Sequence, residues 1–593
     1  MALRRHVPLA WGGVDLNGSG QDSLLRQADE HLEPGPAPFR GAELGPVAYA
    51  TLVAACRRLT ASELETALRD RYLPIAFAPG PEAYVAAGPA ALAAALAHAR
   101  PVVGTADPRD LVEALQAVYG RDICGRAAGH LVHAVPEFSA RWRIRPGQAA
   151  ALSLIAAGFA VLWYYRPGLA AIVTSLTFGI VFLAVCGIRL LGLMPAGPLN
   201  RPPSLSDAEL PVYTVLVPLF RETTVLDQLV AALSRLDYPP DKLDIKLILE
   251  ASDAEMRTRV AEMALPEPFE VLVVPQAPPQ TKPKALNYGL QFARGELVAI
   301  YDAEDVPARG QLRLAAETFA DAPSGIVCLQ ARLAFYNADE NWLTRQLAIE
   351  YAVLYELMLP VLARQHLPLP LGGTSNHFRI HALRRLGAWD PHNVTEDADL
   401  GIRLARFGWR AGMINSTTGE EAACRWGVWL RQRARWLKGW MQVGLVHLRS
   451  PLRTWRQLGP AGSLVALVLM VGMTVSALTH PLFLGLFVWS VAVGGLFAPE
   501  PDWVAATVGG LSLAVLAAGY GINMLAGWVA ISRRYRDQTR RRIAWSLLGI
   551  PVYWILIWLG ACLALWQLLR RPFHWYKTEH GLSRRRSRSG FTA

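Results

Sequence analysis

Apolar and polar positions in this chain are segregated into blocks. Two apolar runs, Gln148–Tyr165 and Gly168–Leu193, are each long enough to cross a hydrocarbon core of about 30 Å. The break at Arg166-Pro167 makes them a hairpin, residues 148–194, with both ends on one side. A long block of mixed pattern follows, residues 205–456, and further apolar stretches fill 462–569. Two of these lie in Gly462–Phe497, split at Thr479-His480-Pro481; the others are Val504–Ile531 and Ile543–Leu569. This predicts about four segments in the C-terminal bundle and six spans in all. Six spans place the arginine-rich loop 533–542 opposite the mixed block, against the positive-inside rule. One post-block segment is therefore expected to be re-entrant or interfacial.

Within the mixed block, Val212–Pro218, Lys246–Glu250 and Glu296–Tyr301 read as buried strands separated by helical patterns. Strands alternating with helices predict a mostly parallel α/β sheet whose ligands sit at the carboxyl ends of the strands. Those ends lead to Glu222, to Glu250 and Asp253, and directly to Asp302. Upstream, residues 1–45 are rich in Gly, Pro and polar residues and read as a mobile arm. Residues 46–135 read as a small α+β domain. A helix starts there at Thr60 or Ser62, Pro101–Pro108 is a strand running into a turn, and Asp110 to Tyr119 is an amphipathic helix.

Composition sets the class. The hydrophobic fraction is 52%, the charged fraction 18%, and 19 tryptophans supply interfacial anchors, so the clustered apolar residues indicate an integral membrane protein. The net charge of +11 resides largely in arginines beside apolar runs, such as Arg540-Arg541-Arg542 and Arg584-Arg585-Arg586. Such clusters set topology and meet anionic membrane lipids, which argues against a nucleic-acid partner. Arg141, Arg143 and Arg145 before the hairpin place its ends, and the block, in the cytoplasm. The expected location is the inner membrane, multi-pass, with a basic cytoplasmic tail over 570–593. Arg4 and Arg5 precede no apolar run, so no signal peptide is expected. Six scattered cysteines without a CxxC pair predict neither a disulfide framework nor a zinc site.

Three motifs carry chemistry. Asp302-Ala303-Glu304-Asp305 ends a strand, and Asp302 and Glu304 are candidate ligands of Mg2+ or Mn2+, hard cations that take oxygen donors. Thr395-Glu396-Asp397 opens a helix; Asp397, beside Glu396, is a candidate general base for an acceptor hydroxyl. Gln432-Arg433-Ala434-Arg435-Trp436 lies on an Arg/Trp-rich helix before the membrane, where Trp436 offers a flat face to a sugar and Arg435 a cation to a diphosphate. Pro218, Glu222, Glu250, Asp253 and Asp302 are candidates for the donor nucleotide, with Lys282 and Lys284 near its phosphates. In Gly372–Phe378, backbone can approach an acceptor, and His377 reads as a structural polar residue.

These motifs, in this order, resemble the family-2 inverting glycosyltransferases of GT-A fold, specifically the processive membrane synthases of cellulose, hyaluronan and poly-N-acetylglucosamine. The resemblance implies a GT-A domain over 205–456, a DxD motif on Asp302 and Glu304, a TED base on Asp397, and QxxRW on Gln432, Arg435 and Trp436. It departs at Glu250-Ala251-Ser252-Asp253, where the family has a DDGS-like turn, and at Glu304, where the family has Asp. It implies a metal-dependent hexosyl- or N-acetylhexosaminyltransferase. The donor would be a nucleotide sugar, foremost a UDP-sugar, and the acceptor a polysaccharide or lipid, with export-complex proteins as partners. The alternatives are transfer of one sugar to a lipid phosphate and a non-catalytic export or adsorption component. Residues 46–135 are similar to the N-terminal domain of type II secretion ATPases. Phe573–Gly581 looks like the W-x-K-T ending of related bacterial transferases, a gating or substrate-covering segment.

Overall fold

A computed structural model describes residues 44, 46–75, 83–98, 100–142, 144–194, 202–493, 502–573 and 577–583. The expected arm, apart from Leu44, and the tail beyond Ser583 lie outside these residues. The contacts divide the chain into two compact units. One comprises the residues up to His130 with Pro211–Arg221 and Pro239–Val298; the other holds Leu131–Leu210, Glu222–Tyr238 and Ala299 onward.

In the first unit, β1 (Tyr72–Ile75), β2 (Ala83–Ala87) and β3 (Val102–Ala106) form a three-stranded sheet in that order. β1 runs antiparallel to β2, and β3 parallel to it. The helix Ala61–Asp70 opens with a capping box: Thr60 accepts from the Glu63 N–H, and Glu63 accepts from the Thr60 N–H at 2.7 Å. Thr60 is thus the cap. The amphipathic helix expected from Asp110 extends over Pro108–Ala134. The same unit carries the parallel ladder β6 (Phe269–Val274), β5 (Leu243–Glu250), β4 (Tyr213–Leu219). Every residue of β5 is buried, so Asp244 and Lys246 need partners. Lys246 meets Asp244 at 2.7 Å and also pairs with Glu270, while Arg71 reaches Glu270 at 2.9 Å and Arg294 reaches Asp244 at 3.2 Å. Burial, outweighing the pull of Asp244, brings the Lys246 ammonium down to about 7.

The second unit adds antiparallel pairs, making its sheet mixed. β9 (Ile326–Phe335) pairs antiparallel with β10 (Asn376–Arg379) and parallel with β11 (Arg410–Glu420), and β11 pairs antiparallel with β8 (Val306–Pro307). β7 (Leu297–Ile300) passes from one unit into the other, and the Ser375 N–H donates to the carbonyl of Ile300 at 2.7 Å.

Six helices among the described residues are long and apolar enough to cross a membrane: Pro146–Tyr165, Pro167–Leu191, Trp342–Arg364, Pro451–Ala492, Trp503–Arg534 and Gln538–Arg570. The number equals the expectation, but the membership differs. The two stretches expected in Gly462–Phe497 are one helix as far as Ala492, with Pro481 inside it; residues 494–497 lie outside the described part. A proline is tolerated where neighbouring helices satisfy the backbone it frees. The real kink is at Gly459, whose φ of 68° interrupts the helix before Pro460. Trp342–Arg364 escaped notice because Arg345, Glu350 and Glu356 punctuate it.

Candidate active site

In the first unit, the strand-end residues are arranged around a turn. Pro218 sits near the end of β4, paired with Ile248. Asp253 caps the helix Ala254–Ala261 by accepting from the Met256 N–H, and it also accepts from the Arg221 N–H at 2.6 Å. That second bond holds Arg221 at a φ of 54°, a left-handed conformation. Glu250 faces Lys284 at 3.3 Å, and Lys284, wholly buried, also donates to the Ala277 carbonyl. Burial raises the Glu250 carboxyl, against the pull of Lys284. Lys284 is therefore committed to Glu250 at the start of the helix Lys282–Gln291, and Lys282 is the more exposed of the two lysines.

In the second unit, β7 delivers Asp302 and Glu304 half-buried, while Asp305 turns inward. Asp305 accepts from the Asp302 N–H at 2.7 Å and from the Thr374 hydroxyl, pinning the acidic turn to the Gly372–Phe378 loop. Burial, with Asp302 and Glu304 beside it, holds the Asp305 carboxyl well above the usual range. Asp305 thus shapes the turn. His377 is fully buried, and burial depresses its imidazole to about 3, so it stays neutral as a structural group.

The C-terminal segment packs on the same turn. Lys577 Nζ lies 2.6 Å from Glu222, and His580 Nδ1 lies 3.2 Å from Glu304. Ligand atoms of Glu222, Glu304 and His580 fall within 4.8 Å of one another. Burial lowers the His580 pKa, against Glu222, which keeps the imidazole neutral and able to act as a ligand. Burial, and more weakly Glu304, push the Glu222 carboxyl up to about 7 despite His580 and Lys577. Two carboxylates and a neutral imidazole suit a divalent cation such as Mn2+, and in this cluster Glu222, rather than the expected Asp302, is the second carboxylate beside Glu304. Glu421 fixes the segment by accepting the N–H groups of Gly581, Leu582 and Ser583 at 2.7, 2.9 and 2.8 Å. Sequence reasoning left His580 and Glu421 out of the site; the only local signal was the Lys577–Gly581 string itself.

Asp397 lies in the first turn of the helix Glu396–Arg406, half-buried, next to buried Glu396. Two residues on, Asp399 binds Arg403 at 2.8 Å and His447 at 3.0 Å, and Arg406 contacts His447 at 3.1 Å. His447 ends the helix Trp426–His447, which carries Gln432, Arg435 and Trp436. A buried polar network therefore ties the two motif helices together. They also touch where Thr395 lies so close to Gly439 that no side chain fits there. On the second helix the two arginines divide. Arg433 is buried, paired with Glu350, bonded to the Tyr553 hydroxyl at 2.7 Å and lying over Trp436 at 5.1 Å. Arg435, Gln432 and Trp436 remain half-exposed, with Arg435 3.5 Å from the Thr578 hydroxyl. Trp436 also stands 6.2 Å from the ring of Tyr351.

Residues 211–439 match the family model described as Glycosyltransferase like family 2. A probable glycosyltransferase of Bacillus subtilis, YdaM, is 30% identical over 244 residues, 40% of this chain and 58% of that protein. A beta-monoglucosyldiacylglycerol synthase of Synechocystis is 27% identical over 269 residues, 44% of this chain and 55% of that protein. The chain thus spans a little over half the length of these curated relatives. Among solved structures, a mannosyltransferase of Pyrobaculum calidifontis in complex with GDP-Man and Mn2+ is 19% identical with a TM-score of 0.39, covering 66% of this chain and 99% of that one. Residues 211–439 are therefore similar to the family-2 type glycosyltransferases.

Proposed function

We propose that this protein is a membrane-bound inverting glycosyltransferase that moves a hexose or N-acetylhexosamine from a nucleotide sugar to a growing polysaccharide. The observation that carries the reading is the joined pair of motif helices: Asp397 on one, Arg435 and Trp436 on the other, held by the Asp399–His447 contact. Direct displacement at the anomeric carbon needs one carboxylate to take the acceptor proton, and Asp397 is that carboxylate, with Glu396 in the same turn. Trp436 gives the acceptor sugar a flat apolar face, while Gln432 and Arg435 bind polar and anionic groups of the acceptor and the leaving diphosphate.

Asp302 and Glu304 of the acidic turn would hold Mg2+ or Mn2+, with Glu222 and His580 clustered around Glu304 as further donors, and the cation would neutralise charge on the departing nucleoside diphosphate. Pro218, Glu222, Glu250 and Asp253 would meet the nucleoside, and Lys282 the phosphates, with Lys284 acting through Glu250. Lys577 lies against Glu222 as a covering group would, and its withdrawal would open Glu222 to the donor. The catalytic domain would face the cytoplasm from the inner membrane, with residues 46–135 as a docking or regulatory module and export proteins as partners.

The test is nucleoside-diphosphate release by protein in nanodiscs with Mg2+ or Mn2+ and a panel of UDP- and GDP-sugars. Asp397→Asn should reduce release by about 10²-fold or more. A mutant as active as the wild type would remove Asp397 as base. One relative's name points to a lipid acceptor. A product that stays lipid-extractable and never lengthens would favour that acceptor over a polymer.

A further inference from the structure

Six helices satisfy the length and hydropathy of a span, yet their ends sort them into two kinds. Pro146–Tyr165 begins where Gln148 donates to the Leu445 carbonyl at 2.9 Å, and Pro167–Leu191 ends where Gly192 meets Leu357. Pro451–Ala492 begins where Thr454 donates to the His447 carbonyl, and Trp503–Arg534 ends where Arg534 meets the Thr417 hydroxyl at 3.0 Å. Those four ends share the face that carries the transferase motifs. Their other ends meet one another, with Gly168 beside Val504 and the Ser490 hydroxyl donating to the Ala505 carbonyl at 2.6 Å. These four helices have the end placement that spanning segments require.

The last apolar helix behaves differently. Just before it, Arg542 pairs with Asp339 at 3.0 Å, and Gln346 donates to the Ser546 carbonyl at 2.6 Å. Just after it, Gln442 donates to the Pro572 carbonyl at 3.1 Å. Near this end, Leu568, Leu569 and Pro572 line a cavity of about 330 Å³ with Trp142 and Ile144, the residues that precede the first span. In between, the helix follows Trp426–His447 in the same direction: Tyr553 lies against Trp429 and Arg433, Gly560 against Arg433 and Leu437, and Pro572 against Gln442. A helix of 21 residues is about 31 Å long, enough to cross if it stood upright. Crossing would leave its two ends on opposite faces, whereas both are bonded to the motif-bearing part of the chain. Its other side shows Val552, Leu559, Trp566 and Leu569 exposed, an apolar stripe continuous with the spanning bundle through the Trp554 contacts to Phe182 and His480.

We propose that Ile550–Arg570 does not cross the bilayer but lies in the leaflet nearest the transferase motifs, its exposed stripe covered by lipid acyl chains. The chain then crosses four times. The arginines of 533–542 stand on the same side as the motifs, as the positive-inside rule requires. The C-terminal segment needs no further crossing to reach Glu222 and Glu304. Trp342–Arg364 follows the same logic. It is mostly buried, bonded through Asn341 to the Cys424 carbonyl at its start, with Pro368 beside Gly462 just past its end.

The experiment reads sidedness and is independent of activity, so it can fail while the transferase reading stands. Single cysteines at Asp207, Arg541, Glu579 and Arg166 are introduced into the full chain with Cys424→Ser and Cys562→Ala. Sealed vesicles of each orientation are then labelled with an impermeant maleimide. Cysteines at 207, 541 and 579 should label from one side and the cysteine at 166 from the other. Labelling at 541 and 579 from opposite sides would overturn the proposal. The otherwise unaltered chain with a C-terminal epitope provides a check free of these substitutions. Its epitope should be digested only in vesicles that also expose residues 202–450, and digestion in the other orientation alone would overturn it.

Discussion

At the scale of single residues, the site pairs acids from the strand ends with groups from the far end of the chain. His580, kept neutral by burial and 3.2 Å from Glu304, is placed to act as a ligand. His580→Ala should raise the Mn2+ concentration giving half-maximal turnover by about 10- to 100-fold, an effect of the size seen when a metal site loses a supporting group. An unchanged metal titration would reduce His580 to packing. Asp302, Asp397 and Arg435 were legible because each sits in a motif only a few residues long. Glu421 and His580 were not, because their partners are distant in sequence and no local pattern records them. The division between Arg433 and Arg435 was legible only as a pair of arginines. Which of them is buried depends on the face Tyr553 and Glu350 cover.

At the scale of elements, the union of the two motif helices governs both geometry and stability. An added methyl at Gly439 would run into Thr395, the residue that precedes Glu396 and Asp397. Gly439→Ala should cost about 1–3 kcal/mol in thermal stability through overpacking and lower the rate by displacing Asp397. Thr395→Ala in the same chain should recover part of both, as contacting residues do in a double-mutant cycle. The Asp399–His447 contact adds a pH dependence. Burial, outweighing Asp399, lowers the His447 pKa. Burial alone would raise Asp399, but Arg403 and His447 hold it below the usual carboxylate range. A depressed folded-state pKa gives stability that is present above the unfolded value and lost as pH falls, first below the ordinary 6.5 of His447 and later below the 3.8 of Asp399. Unfolding in detergent should therefore soften between pH 7.5 and 5, with His447 contributing a slope approaching ~1.4 kcal/mol per pH unit beside the contributions of buried His377 and His580 and the opposing one of Glu222. His447→Gln should lower that slope by His447's share, and an equal slope in the variant would exclude the imidazole as a contributor. The strands and helices bearing these motifs were readable from apolar periodicity. The glycine–threonine approach was not, since it depends on a crossing of two helices that the sequence leaves unspecified.

At the scale of the whole molecule, hydropathy counts candidate spans without saying which of them cross. The conflict between six spans and the arginines of 533–542 was visible in the sequence. Its physical resolution lay in where the ends of Ile550–Arg570 are bonded. Trp342–Arg364 shows the converse. Its apolar character serves burial within protein, and the charges that hid it from the sequence reading include Glu350, the partner of Arg433.

Glu421 takes hold of the C-terminal segment through three main-chain N–H groups rather than through side chains. Such a clasp is blind to spelling and strict about length. Leu582 can be exchanged for many residues with all three donors still in place. Inserting one residue between His580 and Gly581 would shift Lys577 and His580 along the chain relative to the clasped N–H groups, so that they could no longer meet Glu222 and Glu304 while the clasp held.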